Sequence, residues 1–167
     1  IRGANGLMTG VGNPSATINF IRKRPNAENE LAINASLGSW SSKRLSIDGS
    51  YNFSDDTAMR AVAVTQSADS YLDRYSTEKN IFYVFLEHQL SDNTEISLSH
   101  SFSDSKANGN SWGANPLFYS DGSATNYDSS TNTSANWSNW DIKKQNTVFE
   151  ITHIFENNMQ LRGTYSH

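Results

Sequence analysis

Apolar and polar residues alternate strictly along most of this chain, which is the signature of strands with two unlike faces. In 31–39, Leu31, Ile33, Ala35 and Leu37 alternate with Ala32, Asn34 and Ser36. In 44–53, Leu45, Ile47, Gly49, Tyr51 and Phe53 oppose Arg44, Ser46, Asp48, Ser50 and Asn52. Segments 80–90, 95–104, 147–155 and 159–167 repeat the pattern, and 57–67 repeats it less cleanly, because Arg60 shares its parity with Val62 and Val64. The reading is seven strands, with no helical period of useful length.

The connections sort by parity. Tight polar turns at Ser54-Asp55-Asp56, Ser91-Asp92-Asn93 and Glu156-Asn157-Asn158 follow the second, fourth and sixth strands. The intervening connections are a short one near 39–42, a longer one at 69–78 and a very long one at 106–140. In an antiparallel meander alternate connections share an end, so the tight turns lie at one end and the long loops at the other. Short turns on one side, long loops on the other and a dyad apolar-out, polar-in repeat belong to outer-membrane barrels. The Ser- and Asn-rich face, with Arg60, Glu87, Glu150 and Arg162, suits a wet lumen better than a dry core, where unpaired polar groups are costly. A soluble β-sandwich that binds glycans through the long loop shares the alternation, and turn parity favours the barrel.

Composition narrows the choice. Of 167 residues 36% are hydrophobic and 11% aromatic, and the net charge of −4 leaves no basic footprint for nucleic acid. Cys is absent, which removes disulfides and Cys-ligated metal. No apolar run reaches the ~18 residues of a transmembrane helix, and the start at Ile1 inside a Gly-rich stretch, with the end at His167 inside an apparent strand, reads as part of a larger protein.

Three features invite a chemical reading. The opening glycines (3, 6, 10 and 12) lack the Lys of a phosphate loop and the third Gly of a dinucleotide fingerprint, so they read as positions of tight backbone conformation. The four His lie scattered on the outward parity and form no metal cluster, and no nucleophile–base constellation stands out, so no catalytic residue is assigned. The N-x-[ST] triplets at Asn34, Asn52, Asn132 and Asn136 are expected by chance in so Asn- and Ser-rich a chain. The loop 106–140 carries Trp112, Phe118, Tyr119, Tyr127, Trp137 and Trp140 among small polar residues, and loops this long tend to be functional. Together these rings favour binding of a mixed-polarity ligand.

The stretches RGANGLMTGVGNPSATINFIRKRP (2–25), GSW (38–40), DRYSTEK (73–79), WGANPLFYSDG (112–122) and NWSNWD (136–141) closely resemble TonB-dependent siderophore receptors of the ferric-pyoverdine and ferric-coprogen type. The resemblance implies an all-β fragment of a transmembrane antiparallel up-and-down barrel, 22-stranded in the family. Residues 1–27 would be the C-terminal part of the plug domain and residues 28–167 the first strands. It implies uptake of a ferric siderophore across the cell outer membrane, with TonB engaged through a segment before Ile1, and no enzyme activity. No cofactor or protein metal ligand is implied, since the siderophore holds the iron. Trp112 and Trp140 look like the tryptophans lining the siderophore pocket, with Tyr119 and Trp137 beside them. Met8, Thr9 and Gly10 match the plug loop that approaches the ligand. Arg2 and Arg24 match arginines that pair with barrel glutamates, here expected in strands beyond this chain. A related receptor for cobalamin or sugar is the alternative.

Overall fold

A computed structural model describes residues 21–167, which form one seven-stranded antiparallel sheet in strict chain order. The strands are β1 (Glu30–Leu37), β2 (Lys43–Ser54), β3 (Thr57–Asp69), β4 (Ser76–Ser91), β5 (Thr94–Asn108), β6 (Asn139–Ile154) and β7 (Gln160–Ser166). Each hairpin pairs in continuous register, interrupted only beside the β2–β3 and β4–β5 turns. The three tight turns lie at one end and the loops 38–42, 70–75 and 109–138 at the other, as the turn parity predicts.

The usual burial of a soluble sheet is inverted. Leu31 and Ile33 are 67% and 62% exposed, and Ile47, Phe82, Leu86, Leu98, Phe149 and Ile151 on the same face are also exposed. The opposite face is small and polar, yet it holds the buried residues: Phe85, Val148, Ser50, Ser97 and Ser99. A sandwich would bury the first face against a second sheet, and the described residues contain only one sheet. Exposed aliphatics with covered serines describe a wall with hydrocarbon outside and a polar lumen within.

The outer face also explains the histidines. His88, His100 and His153 each sit directly across the ladder from a threonine (Thr57, Thr147 and Thr94), with ring Nδ1 and hydroxyl 2.8 Å apart. A polar group facing hydrocarbon needs such a partner, and the neighbouring strand supplies it. A charge at mid-height has none. Leu98→Arg is therefore expected to destabilise the folded barrel in lipid by ~2–4 kcal/mol, and Gln145→Arg, higher on the same face, by ~0–1. Denaturant titration in bilayers separates the two.

β4, β5 and β6 run to 15–16 residues, beyond the ~9–11 a tilted strand needs to cross a bilayer. The surplus rises at the long-loop end. There the outward positions turn polar, as Asn80 and Glu78, Asp104 and Lys106, and Lys143 and Asp141. This moves three sequence-based boundaries: β4 starts at Ser76 rather than 80, β6 at Asn139 rather than 147, and the long loop shrinks from 106–140 to 109–138. Above the hydrocarbon no solvent contrast enforces alternation, so the pattern fades while the ladder continues. In β3, Arg60, Val62 and Val64 all face the lumen, and the outward positions are Met59, Ala61 and Ala63.

Candidate functional site: an aromatic mouth above an ion-paired strap

Residues 22–27 cross the lumen face of the sheet as a strap. Its basic run reaches four strands. Arg22 pairs with Glu150 of β6 at 3.3 Å, and Lys23 with Asp48 of β2 at 2.7 Å. Arg24 pairs with Glu87 of β4 at 3.0 Å and with Glu95 of β5, its guanidinium 5.4 Å from the Phe85 ring centroid. The two arginines reach toward β4–β6 and the lysine between them reaches toward β2, as alternation in an extended chain requires.

Arg60 fastens the strap from below. Its guanidinium grips Asp48 through two parallel hydrogen bonds of 2.8 and 3.0 Å, the strong fork geometry. Its remaining nitrogen donates to the Arg24 carbonyl at 3.0 Å and to Asn26 Oδ1 at 2.9 Å. The Tyr83 hydroxyl donates to the Lys23 carbonyl, and the Asn26 amide donates to Ser50 Oγ. The expectation that the partners of Arg24 lie beyond this chain is corrected: Glu87 and Glu95 belong to it, on lumen-facing positions of β4 and β5, where Glu87 opposes Ser97 and Glu95 opposes Gln89. Sequence reasoning placed Arg60 on the polar face without a partner and gave Arg22 and Lys23 no role. The RKR run facing alternate-parity carboxylates was the available signal. Arg2, Met8, Thr9 and Gly10 lie outside the described residues.

At the long-loop end Trp112 and Trp140 stack with ring centroids 4.7 Å apart and planes 29° from parallel. Trp140 is a β6 residue on the lumen parity, paired with Ala107, rather than a loop residue. Together with Gln66, Lys79, Ala107, Asn110 and Ile142 it lines a recess of about 340 Å³. Gly109 N–H donates to the Ser138 carbonyl at 2.9 Å and closes the loop at its base, which brings a tryptophan three residues beyond one leg against a tryptophan on the other.

The loop is tied to its neighbour through Asn132. Its amide donates to the Asp73 and Gly109 carbonyls, both at 2.8 Å, and its oxygen accepts from the Ser134 amide. Arg74 donates to the Asn132 carbonyl and to Asn136 Oδ1. Gly109 sits at φ +66°, and a Cβ there would collide with the Arg74 carbonyl. Gly109→Ala is therefore expected to raise amide exchange across 109–112 and 130–138 by roughly 5- to 150-fold, reflecting a cost of about 1–3 kcal/mol, and to leave β2–β5 unchanged. Gly109 had no sequence signal, and Asn132 had only an N-x-[ST] triplet of the kind expected by chance.

Tyr119 and Trp137 do not join the tryptophan stack. Tyr119 lies in a small hairpin at the loop tip, where its amide donates to the Ser123 carbonyl at 2.8 Å, and Trp137 is 84% exposed. In the same hairpin Asp121 accepts hydrogen bonds from the Ser123 hydroxyl and amide, which hold its carboxyl below the usual carboxylate range.

Similarity to known proteins matches this geometry. The chain is 34% identical over 160 residues to the ferripyoverdine receptor of Pseudomonas aeruginosa, covering 94% of this chain. The crystal structure of that outer-membrane receptor bound to ferripyoverdine superposes with a TM-score of 0.90 over 99% of this chain, at 32% identity. The chain is a homologue of the TonB-dependent siderophore receptors. A second receptor of this kind, the ferric-pyoverdine 358 receptor of Pseudomonas putida, is 33% identical over 97% of the chain. The chain spans about a fifth of the length of these curated receptors, 20% of each, and 22% of the solved chain. No protein-family model matches it. As in these homologues, the sheet is a stretch of an outer-membrane barrel wall.

Proposed function

We propose that this chain belongs to a transporter that takes a ferric siderophore across the bacterial outer membrane, with residues 1–27 as the end of its plug and residues 28–167 as its first barrel strands. The observation that carries the proposal is the Trp112–Trp140 stack at the lumen-side mouth, directly above a channel floor fastened by ion pairs. A flat aromatic wall beside polar groups suits a chelate with an apolar or aromatic part. Tyr119 at the loop tip and the exposed Trp137 near the loop's base are proposed to close over the ligand, and Met8, Thr9 and Gly10 are proposed to meet it from the plug. TonB energises release through a segment outside this chain, and the strap carries Arg24, with Arg2 proposed to act alike. The siderophore supplies every iron ligand, and the protein binds and moves its cargo without chemical change.

The test uses the full-length receptor in detergent. Titration with ferripyoverdine is expected to quench tryptophan fluorescence saturably, and Trp112→Ala is expected to remove a large part of that quenching. Absence of quenching by ferripyoverdine would defeat the proposal.

A further inference from the structure

The lumen face is divided by charge. Its lower half holds the acids Asp48, Glu87, Glu95 and Glu150, each paired to Arg60 or to the strap, and Glu30, which accepts a hydrogen bond from Asn26 of the strap. Its upper half holds cations only. Arg44, on the same face as Asp48 and four residues above it, opposes Gln66 across the ladder, and Gln66 opposes Lys79 in the next strand. Lys79 opposes Ser105, and Ser105 opposes Ile142. Lys144 is one lumen-facing position below Ile142. Three cations thus stand on alternate strands, β2, β4 and β6, roughly 10 Å apart at the ordinary strand spacing. All three are exposed, and the residues of the same rows on the lumen face carry no carboxylate. Among the described residues none of the three forms an ion pair; Arg44 donates only to Gln66, at 3.0 Å. Glu78, Asp104 and Asp141 at this height lie on the outward parity; of these Glu78 also borders the recess, together with Lys106 and Lys79.

We infer that Arg44, Lys79 and Lys144 form an anion-selecting arc beneath the tryptophan wall, and that the cargo is a ferric chelate carrying free carboxylate or other anionic groups. The inference rests on the proposed siderophore reading and adds the charge class of the ligand. The tryptophans take the flat apolar part and Lys79, which lines the same recess as Trp140, meets the anion. Like charges facing a confined lumen raise the local concentration of a counter-charged ligand, and they do so less as salt rises. The paired acids below add no attraction of the opposite sign, because the strap and Arg60 already neutralise them.

Full-length receptor is titrated with two probes, ferripyoverdine with its carboxyl groups free and the same chelate with those groups amidated, at low and high ionic strength. The free acid is expected to bind roughly tenfold tighter at low salt. That advantage should shrink at high salt and vanish in the Arg44→Gln/Lys79→Gln/Lys144→Gln variant. Lys43→Gln, outward on β2, should retain it. Equal binding of the two probes, or an advantage that survives the triple variant, overturns the inference and leaves the uptake reading standing. Quenching by neither probe in the wild-type receptor removes both.

Discussion

Arg60→Leu is expected to loosen the strap at Arg24–Asn26. The substitution removes both bonds of the fork to Asp48 and the two donations to the Arg24 carbonyl and Asn26, and it leaves Asp48 with Lys23 alone. Both side chains are mostly covered, at 17% and 18% exposure, so solvent compensates little. Removing one partner of a buried ion pair costs about 3–5 kcal/mol, and partial exposure brings the expected figure to about 2–3 kcal/mol. At 1.4 kcal/mol per decade, amide exchange at Asn26, whose N–H donates to Ser50, should quicken by roughly 30- to 150-fold. Arg162→Leu is the contrast. That side chain is 58% exposed and 3.8 Å from Glu150, and exposed pairs contribute ~0–1 kcal/mol. Equal exchange rates in the two variants would show that the strap is held by something other than Arg60.

Trp140→Ala is expected to weaken ligand binding more than any other single truncation in the described mouth. It removes one wall of the recess and the half of the stack that stands on a strand. Buried tryptophan anchors at binding surfaces are worth about 2 kcal/mol or more, so ferripyoverdine affinity should fall at least roughly 30-fold. Trp112→Ala should cost less, because Trp112 is 79% exposed and stands on the loop. The reverse order in a fluorescence or calorimetric titration would move the anchor from the sheet to the loop.

The sequence was most informative where solvent contrast is sharpest. Within the hydrocarbon layer every second residue must be apolar, so β2 and the lower halves of β4, β5 and β6 can be read from Leu45, Leu86, Leu98 and Phe149. Turn parity then orients the sheet without knowledge of its neighbours. Above the layer that contrast ends, and the upper turns of β6 read as loop although their ladder to β5 is complete. Trp140 was thereby read as a loop residue, although it stands on β6 opposite Ala107. The strap was half legible: a basic run and four lumen-parity acids are visible in one dimension, but their matching depends on a chain crossing the sheet. The short connection near 39–42 was legible but its backbone was not, since Trp40 and Ser41 both take φ of 52°, a conformation usually given to Asn or Gly.

The direction of the strap has a mechanical consequence. Arg22, Lys23 and Arg24 are adjacent in the chain, yet they are fastened to β6, to β2 and to β4 with β5. A pull on the chain ahead of Ile21 loads attachments on four strands within three residues, so rupture requires them to yield almost together rather than peel in turn. Downstream of Ile21 the chain behaves as a riveted seam.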